Sequence, residues 1–317
     1  MTTAVFATAY GGPEVLTTDD VEVAAPGAGQ VTLEVRAAGV NPIDVKAYSG
    51  LLGTDPSRLP MRLGAEVSGV VTAVGDGAEG PAGAVRVGDE VIGYPVGGGY
   101  AGALTVPATS VYPKPAGLSF EEASGLSLVG VTAYHLLEAT GVGPGDTVLV
   151  HAASGGVGLA ASQLAVERGA TVLGTASAGH HDRLRSYGVQ PLEYGVGLAD
   201  RVRDAAPAGV DVALDAIGSD EAVDVSLELV PDRQRIATVA AFGRAGEAGI
   251  RLLGNGPGAD PGSEIRDRGR LVLTDLVDRG RLAVVVAATF PLAEVAEAHR
   301  LVRGGHAGGK VVLVPGS

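Results

Sequence analysis

The sequence has no cysteine and no tryptophan. Without cysteine there is no disulfide framework, no thiolate zinc site, no iron–sulfur cluster and no thiol nucleophile. Cysteine content alone leaves the compartment open. Basic residues are scarce: 23 lysines and arginines face 36 aspartates and glutamates, a net charge of −13 with no basic block. Such a chain is a poor partner for nucleic acid or an anionic membrane, and neither is expected. Long apolar runs are missing as well. The longest, Leu282 to Ala288, falls far short of the roughly 18 residues that suggest a membrane span. Met1-Thr2-Thr3-Ala4-Val5-Phe6 has no basic segment ahead of an apolar stretch. It does not read as a secretory signal, and a cytoplasmic location is expected.

What is present is material for a sizeable core, with 46% hydrophobic and 19% charged residues in 317. At roughly 150 residues per domain the length suggests two domains. The first hundred-odd residues are strands and turns. Val31 to Arg36 alternates apolar and polar with period two, Val67 to Val74 is β-branched, and Gly88-Asp89 marks a turn between short strands at Val85–Val87 and Glu90–Gly93. Prolines recur from Pro26 to Pro115.

The character changes near Ser119, an N-cap followed by Glu121 and Glu122 in the first helical turn. Helical material then runs towards Thr140. Thr147 to His151 reads as a buried strand, Val157 to Arg168 as a helix ended by Gly169, and Thr171 to Thr175 as the next strand. Further apolar runs lie at Asp211 to Asp215, Arg235 to Val239 and Ile250 to Leu253. Strands alternating with helices imply βαβ units and a parallel sheet. Residues 254–262 read as a loop, Ser263 to Arg279 as helix, Leu282 to Phe290 as strand, Leu292 to Arg303 as amphipathic helix and Lys310 to Val314 as a closing strand.

One segment carries chemistry. Ala152-Ala153-Ser154-Gly155-Gly156-Val157-Gly158 lies between a strand and a helix, with another strand beyond. Glycines there permit a tight turn and let backbone N–H groups approach a pyrophosphate at a helix N-terminus, and Gly158 lets helix and strand pack closely. An acidic residue about 20 positions beyond such glycines would bind a ribose 2′-hydroxyl. Here that region reads Thr175-Ala176-Ser177-Ala178-Gly179-His180-His181. Ser177 stands where the acid belongs and can donate to a 2′-phosphate, with His181, Arg183 and Arg185 adding charge. NADPH is therefore expected over NADH. Read without a ligand, the same residues are a solvated surface, and Asp182 dilutes their field.

Six segments together resemble the medium-chain dehydrogenase/reductases, within them the zinc-independent quinone oxidoreductases (ζ-crystallin-like). They are Ala38-Gly39-Val40-Asn41-Pro42-Ile43-Asp44, Gly64 to Val71, Val87 to Val91, Gly130-Val131-Thr132-Ala133-Tyr134, Ala152 to Gly158, and Gly309 to Leu313. The resemblance covers nearly the whole chain. It implies an α/β protein: a GroES-like, β-rich catalytic domain (1–120 and 264–317) enclosing a Rossmann domain with a doubly wound parallel sheet (121–263). At the positions of the zinc ligands in the family's alcohol dehydrogenases stand Asn41, Ala65 and Leu128. No metal is expected from that set. Without a Lewis acid, an already electrophilic acceptor such as a quinone or conjugated enone fits best.

The resemblance further implies hydride transfer to the acceptor followed by protonation. Asn41 would bond the acceptor oxygen or the nicotinamide ribose, and Asp44 would orient its loop. Lys46 or Tyr48 would supply a proton, although Lys46 reads equally as a surface lysine. The cofactor set comprises Asn41, Thr132, Ser154, Gly155, Gly156, Val157, Gly158, Ser177, His181, Arg185, Tyr194, Ala240, Phe242 and Lys310. Phe242 can equally be core, Thr132 can be helix packing, and Lys310 can be structural. His135 and His299 read as packing or surface residues rather than catalysts, and the loop 255–262 as a lining of the substrate cleft. A homodimer through sheet-edge strands near Arg235 to Leu253 is implied. Two other readings stand beside the reductase: an enoyl reductase for a polyketide or thioester intermediate, and an NADPH-binding protein without turnover.

Overall fold

The computed structural model describes every residue except His306 and Ser317. Its contacts divide the chain into two compact units. One comprises Met1–Leu128, Thr274–Asp278 and Val284–Ser317; the other comprises Val129–Leu273 and Arg279–Ala283. The sequence places the divisions at 120 and 263; the contacts place them at 128 and 273. The helix Ser263–Asp278 accounts for the second difference, because its Leu273 packs against Gly130 of the helix Ser127–Thr140.

The first unit is β-rich. Its largest sheet runs, in order, Val111–Pro113, Glu90–Gly93, Val67–Val74, Gln30–Val40, Lys310–Val314 and Val286–Pro291, with Ala103–Pro107 also paired to Gln30–Val40. Gln30–Val40 buries Val31, Leu33 and Val35 on one face, the period-two alternation of a strand with one wet side. These residues join Val67, Val71, Leu104, Val311 and Leu313 in the core. The closing strand pairs antiparallel to Gln30–Val40, with Val311 opposite Val40 and Val312 opposite Gly39. That register sets Lys310 beside Asn41.

The second unit holds a six-stranded, wholly parallel sheet. Across it lie Val189–Leu192, Thr171–Thr175, Thr147–His151, Val212–Asp215, Ile236–Thr238 and Arg251–Leu252. This is the doubly wound order three-two-one-four-five-six, so the overall class is α/β as expected. Leu149, Leu173, Ala213 and Ile236 form its buried centre with Val202 and Val223. Arg235 grips both carboxylate oxygens of Asp146 at 3.1 and 2.7 Å, tying the turn before the first strand to the start of the fifth.

Local expectations fared differently. Ser119 does cap its helix, accepting from Glu122 N–H while Glu122 accepts from Ser119 N–H. Val85–Val87 is not a strand. The Gly88-Asp89 turn forms, with Asp89 accepting from Arg86 N–H, but the strand before it is Gly83–Ala84. The strand expected from Leu282 begins only at Val286. Ala283 needs no ladder partner, since the Gln163 amide donates to its carbonyl and accepts from its N–H at 3.1 and 2.9 Å.

Candidate active site

In the parallel-sheet unit the strand Thr147–His151 runs into a turn at Ala152, whose φ of +57° is the only positive value at a non-glycine among the described residues. Such strain concentrates at functional turns. Thr175 holds the turn: its Oγ1 accepts from Ala152 N–H and its carbonyl from Ala153 N–H. The helix Gly156–Glu167 follows, with Gly155 as an N-cap that offers no side chain to the first turn. Its leading N–H groups point to the loop, where an anion would sit. At Gly158 a Cβ would lie 2.2 Å from Ala152 O, so any side chain would push helix and turn apart. Ser154, Gly155, Gly156, Val157 and Gly158 thus form one cradle.

Beside it, at the end of Thr171–Thr175, Ser177 is exposed and carries no acid. The side chains that follow point different ways. Arg183 turns back to the cradle, its Nη2 donating to Ser154 O at 3.3 Å and lying 3.4 Å from His180 Nδ1, and its Nε is buried without a partner. Burial lowers the His180 pKa, assisted by the Arg183 charge. His181 Nε2 lies 3.1 Å from Ala176 O. Arg185 instead pairs with Asp182 at 2.7 Å on the exposed side. His180 has no signal of its own in the sequence, where Arg183 reads only as added charge. Tyr194 stands exposed on a loop that Arg201 binds through the carbonyls of Glu193, Gly195 and Val196. Thr132 is buried on the helix Ser127–Thr140. Ala240 and Phe242 follow the strand Ile236–Thr238, and the Phe242 ring rests against Gly256.

The β-rich unit assembles the other candidates. Asn41 starts the helix Pro42–Tyr48, and Asp44 reaches back to accept from Asn41 N–H at 2.9 Å. Lys310 Nζ donates to Asn41 Oδ1 at 2.5 Å and to Glu66 Oε1 at 2.7 Å. Asn41 Nδ2 donates to Glu66 Oε1 at 3.0 Å and to Gly39 O at 3.2 Å, while Glu66 Oε2 accepts from Leu128 N–H at 2.8 Å. Both Asn41 amide hydrogens are therefore used inside the protein. Tyr100 donates to Asp44 Oδ2 at 2.8 Å. Burial pushes the Asp44 carboxyl up to about 6 despite the Tyr100 and Asn41 hydrogen bonds. The sequence signal for Glu66 is the segment Gly64-Ala65-Glu66; Tyr100 has none.

Lys46 is half-buried on the same helix. Tyr48 points into the core. It is fully buried, its hydroxyl 3.0 Å from His299 Nδ1, and burial drives its pKa up to about 12. The structure thus brings Asn41, Asp44 and Lys310 into one network with Glu66 and Tyr100, and gives Tyr48 a separate partner. Among the described residues no three His, Cys, Asp or Glu side chains cluster to hold a metal.

Family matches cover parts of both units. Residues 27–116 match the alcohol dehydrogenase GroES-like domain and residues 193–313 the zinc-binding dehydrogenase domain. The chain is 33% identical to the rat synaptic vesicle membrane protein VAT-1 homolog, covering 92% of this chain and 78% of that one. In the mouse and human VAT-1 homologs the matched stretch, 40% identical, spans about half of the relative's length. Among solved structures it resembles an NAD-dependent alcohol dehydrogenase (31% identity, TM-score 0.86, 99% of each chain) and the CurK enoyl reductase (28%, TM-score 0.87, 99% of each chain). The Escherichia coli quinone oxidoreductase complexed with NADPH is similar too (28%, TM-score 0.84, 99% of this chain and 100% of that one). Mouse quinone oxidoreductase aligns at 31% identity over 96% of this chain and 95% of its own length. A match of that extent, on this fold and these motifs, places the chain in the quinone oxidoreductase (ζ-crystallin-like) group of the medium-chain dehydrogenase/reductase family.

Proposed function

We propose that this chain is an NADPH-dependent, zinc-free reductase acting on a quinone or conjugated enone. The observation that carries the reading is the cradle at Ser154–Gly158, with Arg183 and Ser177 beside it and no carboxylate where a ribose 2′-hydroxyl would need one. The residues present fit the cofactor: Gly158 has no room for a side chain, the helix N-terminus is uncapped, and the buried Arg183 Nε lacks a partner. When bound, NADPH supplies a hydride from C4 of its nicotinamide.

The chain's own residues do the rest. The first N–H groups of Gly156–Glu167 bind the pyrophosphate, with the helix dipole behind them. Ser177, His181 and Arg183 bind the 2′-phosphate, Tyr194 lies against the adenosine, and Ala240 and Phe242 flank the nicotinamide with Thr132. Asn41, Ala65 and Leu128 supply no thiolate or imidazole, so no bound cation polarises the acceptor. The acceptor must then be electrophilic already, as quinones and conjugated enones are. The buried Lys310–Glu66–Asn41 set fixes the loop before Asp44 and Lys46, and Lys46 delivers the proton. The likeness to CurK favours one other acceptor class, an enoyl thioester. The reading also includes a homodimer formed at the Arg251–Leu252 edge and action in the cytoplasm.

The test is NADPH oxidation with benzoquinone, phenanthrenequinone, a simple conjugated enone and a crotonyl thioester, before and after exhaustive chelation. Turnover of a quinone or enone that survives chelation is expected. NADPH binding without turnover of any acceptor would leave a binding protein, and turnover of the thioester alone would move the substrate class.

A further inference from the structure

Two neighbouring strands of the parallel sheet, Val212–Asp215 and Ile236–Thr238, end on side chains that hold each other. Asp215 lies opposite Thr238 in the ladder. Thr238 Oγ1 accepts from the N–H groups of Ala240 and Ala241 at 3.1 and 2.9 Å. A hydroxyl has two lone pairs and one hydrogen, so the hydrogen goes to Asp215 Oδ2, at 2.7 Å. Asp215 Oδ1 accepts from Ile217 and Gly218 N–H at 2.9 and 2.8 Å. Asp215 is 1% and Thr238 0% exposed. Every position in this set demands its chemistry: an amide in place of Asp215 would offer a hydrogen to an oxygen whose lone pairs are taken, or lose an acceptor.

The pair joins two loops into one piece. Gly218 sits at φ +75°, and a Cβ there would lie 2.6 Å from Ala240 C, so the loops touch with no side chain between them. Further out, Arg244 bonds Asp220 at 2.5 Å and Asp224 at 2.7 Å. On this double loop stand two large apolar side chains facing solvent, Ile217 (54% exposed) and Phe242 (42%). Both lie at the carboxyl ends of strands, where open parallel sheets take their ligands. They also belong to the half of the sheet beyond the order reversal, away from the cradle and Ser177. Exposed apolar side chains at these two strand ends suit a flat heteroaromatic ring and offer nothing to a phosphate.

We infer that Asp215 and Thr238 are positioning residues for the nicotinamide half of the dinucleotide. They fix the backbone that carries Ile217 and Phe242, and those side chains form the apolar rest for the ring. This rests on the NADPH reading; Asp215 and Thr238 act on the cofactor only through the backbone that carries Ile217 and Phe242.

The experiment compares binding of NADPH with binding of adenosine 2′,5′-bisphosphate, which contains the adenosine half alone. Thr238→Val removes the hydroxyl at nearly constant volume; Thr238→Ser keeps it. Thr238→Val should weaken NADPH about tenfold while leaving the bisphosphate within about twofold, and Thr238→Ser should bind both within about twofold of wild type. A Thr238→Val protein that binds NADPH as wild type does, or loses both ligands in equal proportion, overturns the inference. Should that variant fail to fold, the exposed change Ile217→Ala decides: an NADPH-only loss of about threefold supports it, and unchanged affinity overturns it. Wild-type protein that binds neither ligand would instead sink the cofactor reading beneath it.

Discussion

Glu66 and Lys310 form an ion pair, 2.7 Å from Oε1 to Nζ, with 0% and 5% of their side chains exposed. Neither charge reaches water, so each depends on the other and on Asn41. Removing one partner of such a pair leaves an uncompensated buried charge, which costs about 3–5 kcal/mol. Lys310→Met should therefore destabilise the protein by about that amount in denaturant unfolding. Glu66→Gln in the Lys310→Met background should return a large part of it. A strictly additive double variant would show that the two side chains do not act as a pair.

Arg183 and Arg185 are two residues apart and face different partners, Ser154 O and Asp182. Arg183→Ala should weaken NADPH about tenfold and NADH little, as expected for a charge-assisted bond to a phosphate. Arg185→Ala should change either affinity less than about twofold, because an exposed pair contributes little. Ser177→Asp should cut NADPH affinity and spare NADH. Direct titration with both cofactors measures all three, and an NADPH preference that survives Arg183→Ala and Ser177→Asp contradicts the assignment.

Gly155 and Gly158 differ in what a methyl group would meet. At Gly158 it would lie 2.2 Å from Ala152 O; at Gly155 the nearest atom is the same carbonyl at 3.4 Å. Gly158→Ala should cost about 1–3 kcal/mol, as overpacking does, and disrupt the cradle. Gly155→Ala should keep the melting temperature near that of wild type. Equal melting temperatures for the two variants would remove the close-approach argument.

Asp44 carries its pH effect in the direction set by burial. Its folded pKa, raised from 3.8 to about 6, means that the folded state binds the proton more tightly than the unfolded state does. The stability this gives is complete below 3.8 and is lost as the pH rises to about 6. A shift of about two units corresponds to roughly 3 kcal/mol. His151 and His299 act oppositely: burial lowers both to about 4, so they lose stability as the pH falls below 6.5. Asp44→Asn isolates the first effect, since its amide oxygen can take the Tyr100 and Asn41 hydrogen bonds. Its stability relative to wild type should rise by a few kcal/mol between about pH 4 and about pH 7 in denaturant titrations. A difference independent of pH would contradict the raised pKa.

Much of the fold and part of the site were legible in the chain itself. The cradle was readable because its signal is local: a buried strand, glycines and a helix within a dozen residues. The parallel sheet followed from alternating apolar runs. Other features had no local signal. Glu66 meets Lys310 across 244 residues, through the antiparallel register of the closing strand. Composition showed the charges near His180 but not their facing, which helix geometry decides; the three-residue spacing of Asp182 and Arg185 was the available hint. Leu282 to Val285 looked like strand because the sequence does not show that Gln163 satisfies Ala283 from a distant helix.

The most direct test follows the hydride itself. NADPH carrying deuterium at C4 is incubated with the protein and a conjugated enone, and the product is analysed by mass spectrometry. The account predicts carbon-bound deuterium in the reduced product, formed equally well after exhaustive chelation. Bound NADPH with no label in any product, or transfer that stops when metal is removed, would contradict it.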